Sequence, residues 1–180
     1  MNRCSWCNEE NERYVKYHDE EWGRLNLHDE YLYEMLILEI FQGGLSFECV
    51  LNKRENIRKA FDGFSIEKVC RYDKKKVDEL SHNPGIIRNR KKIEAIIKDS
   101  LIFADIQKEY GSFHAYLRMF SGELVIHETN RTSDELSDRL SKDLKSRGMK
   151  YVGSKTIYSF LQAVGIINSH EKECFLYQER

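Results

Sequence analysis

The sequence predicts an all-α fold, on three observations. The 180 residues contain one proline, Pro84. Leu, Ile, Lys and Glu, all good helix formers, are abundant. Apolar residues recur mostly at i, i+3 and i+4, the period of an amphipathic helix. The elements follow in order. Asp29 is placed to N-cap a helix whose apolar face is Leu32, Met35, Leu36 and then position 39, and Gly43-Gly44 ends it. Ser46 is placed to cap the next, with Val50, Ile57 and Phe61 inward. Gly63 punctuates, Ser65 opens a short helix with Ile66 and Val69, and Asp73 opens another with Val77 and Leu80. The run His82-Asn83-Pro84-Gly85 is a turn by composition. A long helix follows, striped by Ile93, Ile96, Ile97, Leu101 and Ile102, and stops near Gly111. Ser112 opens a short aromatic helix through Phe120. Ser121 to Arg131 is irregular, at most a brief strand without an evident partner. Thr132 and Glu135 give a capping-box pattern before a charged helix that ends at Gly148. Gly153-Ser154 opens a last helix with Ile157, Phe160, Leu161 and Val164, ending at Gly165.

Composition excludes whole classes. Apolar residues are 41% and charged residues 33% of the chain, too many charges for a membrane span and too many apolar residues for disorder. No apolar run is long enough for a transmembrane helix or a secretory signal, so a cytoplasmic protein is expected. Five scattered cysteines, Cys4, Cys7, Cys49, Cys70 and Cys174, leave metal ligation or burial rather than a disulfide framework. The net charge of −1 hides a segregation. Residues 1–49 carry 4 cationic and 11 anionic side chains, a balance of −7, and residues 50–100 carry 14 and 8, a balance of +6. A second basic cluster, Lys142, Lys145, Arg147, Lys150 and Lys155, precedes the last helix. Near-neutrality therefore does not exclude a nucleic-acid partner.

Four features carry possible chemistry. Residues 77–98 read as helix, turn, helix: Asn83-Pro84-Gly85 breaks the first helix, Ile86 and Ile87 plug the turn, and the second begins with Arg88, Arg90, Lys91 and Lys92. Backbone N–H groups and cations at a helix start suit a DNA phosphate; an ordinary turn beside a solvated basic face is the alternative. Glu39 lies on an apolar stripe, where a carboxylate is costly unless paired or functional, or else its helix end has turned to solvent. Trp6, Tyr14, Tyr17 and Trp22 either sandwich an extruded base or form a small core. Cys4, His18, His170 and Cys174 are two Cys and two His, the set of a closed, structural zinc site. His170 and Cys174 would share a helix face at i, i+4. Cys4-x-x-Cys7 is a competing pair, and unligated termini are the third possibility.

The stretches RCSWC at 3–7, YVKYHDEEWG at 14–23, LEIFQGGLSF at 38–47, VLNKREN at 50–56, NPGIIRNRKKIEAII at 83–97, KSRGMKYVGSKTIYSFLQAVGIINSH at 145–170, and Cys174 lie in order over nearly the whole chain. Together they resemble the 3-methyladenine DNA glycosylase I family of bacterial base-excision repair. The resemblance implies an all-α helix–hairpin–helix DNA glycosylase fold. It implies one structural zinc per chain on Cys4, His18, His170 and Cys174, tying the N- and C-terminal segments together and leaving Cys7 without a ligand role. It places Glu39 in a base pocket with Trp6, Tyr14, Tyr17, Trp22 and Phe47, with Glu39 the catalytic carboxylate. It makes 83–92 the DNA-anchoring hairpin, with Gly85, Ile86, Arg88, Arg90 and Lys91 at the DNA, and puts Gly43, Gly44 and Leu45 there too, Leu45 as a wedge. One glycosylase unit over 1–180 is expected, with a hairpin lobe at 39–153 and a zinc-stapled lobe formed by 1–38 and 154–180. The family pattern reads Glu-Gly-x-Gln-small-Gly-Leu-Ser-Trp; here Ile40 replaces the first glycine and Phe47 the terminal tryptophan.

The implied activity is hydrolysis of the N-glycosidic bond of N3-methylated adenine in double-stranded alkylated DNA, starting base-excision repair. The alkylated base is cationic and already a good leaving group, so aromatic faces select it by cation–π attraction and a carboxylate completes the recognition. No lysine stands out as a Schiff-base nucleophile, so a monofunctional enzyme without lyase activity is expected. Neither Asp99 nor Asp105 is assigned a chemical role. A monomer suits an enzyme that slides on DNA. The alternative is a non-catalytic helix–hairpin–helix DNA-binding protein that has lost excision through Ile40 and Phe47.

Overall fold

The computed structural model describes residues 1–178, which are mostly helical. In chain order the helices are α1 (Glu12–Glu20), α2 (Asp29–Gln42), α3 (Phe47–Ala60), α4 (Ile66–Val69), α5 (Lys74–His82), α6 (Arg90–Tyr110), α7 (Phe113–Ser121), α8 (Glu135–Ser146) and α9 (Ser154–Ala163). A 3₁₀ turn, Asp62–Phe64, links α3 to α4, and two short strands, β1 (Ile126–His127) and β2 (Ile167–Asn168), complete the described elements. None of the described helices is long and apolar enough to cross a membrane.

The centre of the fold is α2. Every residue from Leu32 to Phe41 is buried, because α2 packs against α3, α6, α7 and α9 at once. The sequence suggests one apolar stripe; a helix enclosed on all sides buries its whole circumference instead. That burial forces a solution for each acid on it. Glu34 is paired with Arg54 Nε at 2.7 Å and Arg58 Nη2 at 2.6 Å, and Arg54 also holds Glu21. Among the described residues Glu39 has no such cation.

Local capping explains several element starts. Ser46 Oγ accepts from the Cys49 amide at 3.2 Å, and Asp73 accepts from the Lys76 amide at 2.8 Å, each removing one orphan donor of a first turn. Asp29 behaves differently from expectation. It is the first residue of α2 rather than its cap, and its carboxylate accepts from the Phe113 and His114 amides at 2.8 and 2.9 Å. It caps α7, a distant helix, which pins the start of α2 to it. The capping box of α8 is also displaced: Asp134 and Ser137 form it, not Thr132 and Glu135. Along α6 the buried stripe runs through Ile93, Ile96, Phe103 and Ile106, whereas Leu101 is exposed.

The irregular segment after α7 does have a partner. β1 pairs in parallel with β2, Ile126 opposite Ile167. Gly165 makes the approach of β2 possible: at φ +76 its missing Cβ would stand 2.1 Å from the Arg24 carbonyl carbon. The chain crossing there brings the segment after α9 beside Trp22 and the N-terminus.

Candidate active site

A cavity of about 310 Å³ opens where α1, α2, α9 and the segments after β1 and β2 meet. Helix α1 supplies one wall. Asn11 caps it by accepting from the Arg13 and Tyr14 amides, and the buried face it presents is Tyr14, Tyr17 and His18, at i, i+3 and i+4. Trp6 lies across that face, 5.3 Å from Tyr14 and 4.7 Å edge-on from Trp22, ring centre to ring centre. Phe47, the first residue of α3, sits 4.9 Å from Tyr17. All six of Glu39, Trp6, Tyr14, Tyr17, Trp22 and Phe47 line this one cavity.

Glu39 lines the cavity from its central helix. It is 3% exposed and its Oε2 has no hydrogen-bond partner among the described residues. Burial alone pushes its carboxyl up to about 8, since a charge there is stripped of water without compensation. A buried polar atom without a partner is rare in folded proteins and marks a place where a ligand would complete the hydrogen bonding. The Tyr17 hydroxyl, also buried, is held well above its ordinary range by burial and then by the Glu39 charge. It is a hydrogen-bond donor at neutral pH.

Next to this wall is a buried cluster of Cys4, His18, His170 and Cys174, whose ligand atoms all lie within 4.8 Å of one another. Cys4 Sγ is 3.4 Å and Cys174 Sγ 3.5 Å from His170 Nδ1, and Cys174 Sγ is 3.6 Å from His18 Nε2. A tetrahedral site with ordinary Zn–S and Zn–N bonds has S···N edges of about 3.6 Å, so the donors fit. Outer partners fit too. His18 Nδ1 meets Asp19 Oδ1 at 2.7 Å and His170 Nε2 meets the Trp22 carbonyl at 3.1 Å, which turns the remaining ring nitrogens toward the cluster. The Glu171 amide donates to Cys4 Sγ and the Leu176 amide to Cys174 Sγ, both at 3.4 Å, as thiolates require. The tail carrying His170 and Cys174 is not helical; the two meet through a succession of turns, correcting the expectation of a shared helix face. Cys7 lies outside the cluster. Trp6 packs 5.2 Å from His18 and Trp22 packs 4.8 Å from His170, so cluster and cavity share a wall.

The other predicted residues lie just beyond the end of α2 and in the turn that leads into α6. Gly43 and Gly44 form a turn closed by the Leu45 amide donating to the Gln42 carbonyl at 2.6 Å, Gly44 having φ +87 and open space around it, and Leu45 is 43% exposed. The turn 83–89 joins α5 to α6. Asn83 Oδ1 accepts from the Gly85 amide at 2.8 Å, Lys53 donates to the Pro84 carbonyl, and Ile86 is buried beneath. Helix α6 starts at Arg90 with Asn89 as its cap, two residues later than Arg88. Arg88 and Lys91 are exposed. Arg90 is tied to Asp78 at 2.5 Å and Glu94 at 2.9 Å. Lys92 does not join the basic face: it is buried, and its Nζ donates to the carbonyls of Phe41 and Gly43 at 2.9 and 2.7 Å. It caps the end of α2 and ties the first turn of α6 to it.

The sequence profile described as methyladenine glycosylase matches residues 6–177. The chain belongs to this family. Over 98% of its length it is 39% identical to DNA-3-methyladenine glycosylase 1 of Escherichia coli (strain K12), covering 97% of that protein. Among solved structures, a crystal structure of 3-methyladenine DNA glycosylase I matches with a TM-score of 0.94 at 37% identity, covering 98% of this chain and all of the other. The enzyme from Staphylococcus aureus, in a structure of 3-methyladenine recognition, matches with a TM-score of 0.93 at 33% identity, covering all of this chain and 98% of its own.

This family member departs from the pattern at Ile40, which is buried in the core, and at Phe47, which keeps an aromatic ring at the cavity. Sequence reasoning missed further lining residues: Gln42, Thr129, Asn130, Arg131, Ser159, Gln162, Ser169 and Glu171. Ser159 and Gln162 stand at i, i+3 within the apolar run Ile157–Ala163 of α9, a signal that could have found them. The 129–131 segment gave none, because its place depends on the β1–β2 pairing.

Proposed function

We propose that the chain is a DNA glycosylase that extrudes 3-methyladenine from alkylated double-stranded DNA and hydrolyses its N-glycosidic bond, the first step of base-excision repair. The observation that carries this is the buried Glu39 carboxyl, with its Oε2 lacking a hydrogen-bond partner among the described residues, at an aromatic-walled cavity, in a chain of the methyladenine glycosylase family. Such a cavity suits a flat cation. At neutral pH the empty site holds Glu39 protonated, because its carboxyl lies at about 8. A cationic base entering between the rings draws the proton off to solvent, and the carboxylate then faces it at an attraction on the order of 4 kcal/mol at contact distance. Neutral adenine offers no such gain, so selectivity follows from charge. Water attacks the sugar carbon, the glycosidic bond breaks, and the base leaves neutral with the bonding electrons. The attacking water loses its proton to solvent.

None of the lining residues is a lysine, and Lys92 is occupied by two carbonyls, which supports a monofunctional enzyme without lyase activity. The turn between α5 and α6 is read as a helix–hairpin–helix anchor, with Gly85 and Ile86 presenting backbone, Arg88 and Lys91 cations, and Leu45 filling the gap left by the base. Cys4, His18, His170 and Cys174 would hold one structural zinc, which supplies a cross-link between the termini. The zinc-stapled segments, 1–38 and 154–180, and the hairpin lobe, 39–153, then share α2 as a common spine. We read the enzyme as a monomer.

The test is incubation with methylated duplex DNA. Free 3-methyladenine should appear while the strand stays intact until alkali is added. A non-catalytic DNA-binding protein would bind without releasing base. In the same preparation, Arg88→Ala and Lys91→Ala should each lower the slope of log affinity against log salt by about 1. Arg90→Ala should change it less, because Asp78 and Glu94 already balance its charge. Equal slopes in all three variants would remove the hairpin from the DNA interface.

A further inference from the structure

Neither base selection nor hairpin anchoring uses Arg131, the one cationic side chain among those lining the cavity. A cation beside a pocket for a cationic base opposes the base, so its charge calls for another partner. The lining acids do not supply one. Glu171 is engaged by the Ser5 amide and hydroxyl, both at 2.7 Å, and among the described residues burial alone, with no neighbouring charge, sets the state of Glu39.

One acid, Glu128, holds the guanidinium in place and leaves most of it exposed. Its Nη1 lies 3.2 Å from Glu128 Oε2, and the other oxygen of Glu128 accepts from the Tyr158 hydroxyl at 2.8 Å. The Glu128 amide donates to the Asn168 carbonyl at 3.2 Å, continuing the β1–β2 pairing. Between the two paired residues Asn130 takes a left-handed φ of +63, a turn that asparagine tolerates. The side chain of Glu128 is nearly enclosed, whereas that of Arg131 is 60% exposed. One edge of the fork is anchored, and the guanidinium has five donors in all.

We propose that Arg131 grips a phosphate of the extruded nucleotide at the mouth of the cavity, an inference that rests on the glycosylase reading. An extruded 3-methyladenine nucleotide is a dipolar guest, with a cation on its base and an anion on its backbone. Glu39 and the aromatic rings take the first. The planar fork of Arg131 suits the second, by parallel charge-assisted hydrogen bonds. The same rim contact would hold the nucleotide out of the duplex while the bond breaks.

The experiment compares wild type with Arg131→Ala, Arg131→Gln and Arg131→Lys on methylated duplex DNA. The Ala and Gln variants should raise KM about tenfold with kcat within about twofold. The slope of log affinity against log salt should fall by about 1, the loss of one phosphate contact. Quenching of tryptophan fluorescence by free 3-methyladenine should not change, since the free base has no phosphate. The Lys variant should keep the salt slope and recover part of KM. An unchanged KM and salt slope would overturn the proposal, as would a fall in kcat alone. If wild type releases no 3-methyladenine, the glycosylase reading fails instead, and the salt slopes of the Gln and Lys variants still decide whether Arg131 meets a phosphate.

Discussion

Glu39→Gln should lose excision by two to three orders of magnitude and, at pH 8, fold more stably than the wild type. The first effect follows from removing the one lining carboxyl with a buried oxygen left free for a cationic base, since Glu171 is taken up by Ser5; losses of this size match the removal of one preorganised electrostatic group. The second follows from linkage. The folded-state value of Glu39, about 8, lies above its ordinary 4.5. The native state therefore keeps a proton that the unfolded chain releases. Stability is complete below about pH 4.5 and is lost as pH rises through about 8. By pH 8 and above the cost is on the order of 4 kcal/mol. Glutamine removes it. Asp99 shifts the same way, to about 7, through burial, so a weaker pH slope should persist in Glu39→Gln and flatten further in Asp99→Asn. Urea unfolding at pH 5 and pH 8 measures both. A variant that loses activity and stability together would make Glu39 a structural residue.

Removing the metal should have the largest effect on the fold. Metal analysis should find one zinc per chain in wild type and none in Cys174→Ser. The cluster joins Cys4 and His18 to His170 and Cys174 across almost the full sequence, so its loss releases both termini. A cost on the order of 4 kcal/mol or more is expected, which for a chain of this size lowers Tm by roughly 10 °C or more. Because Trp6 and Trp22 pack on His18 and His170, the near-ultraviolet spectrum should change before helix content does, and 3-methyladenine binding should weaken with it. A metal-free protein with unchanged Tm and spectrum would refute the zinc assignment.

What could be read from the residues divides by the range of the interaction. Ser46 and Asp73 are legible caps because each closes the turn that follows it. Asp29 has the same signature but binds amides 84 and 85 residues away, which no local rule anticipates. Lys92 reads as part of the run Arg88, Arg90, Lys91; only the packing of α6 on α2 shows that its charge is spent inside. Glu39 was legible because a carboxylate on a run of apolar residues is costly, and the fold confirms its burial. Thr129, Asn130 and Arg131 were not, since they reach the cavity through a strand pairing between distant segments. The four Cys and His positions meet as expected, though by turns in the tail rather than along a helix.

The most direct measurement of the central claim is the pH dependence of 3-methyladenine release from methylated duplex DNA. The value of kcat/KM reports groups of the free enzyme. With Glu39 as the working carboxylate, it should climb as pH rises from 6 and level off near the Glu39 value of about 8, and Glu39→Gln should lack that limb. Release at a rate independent of pH across this range, or no release by folded, zinc-loaded protein at any pH, would contradict the account.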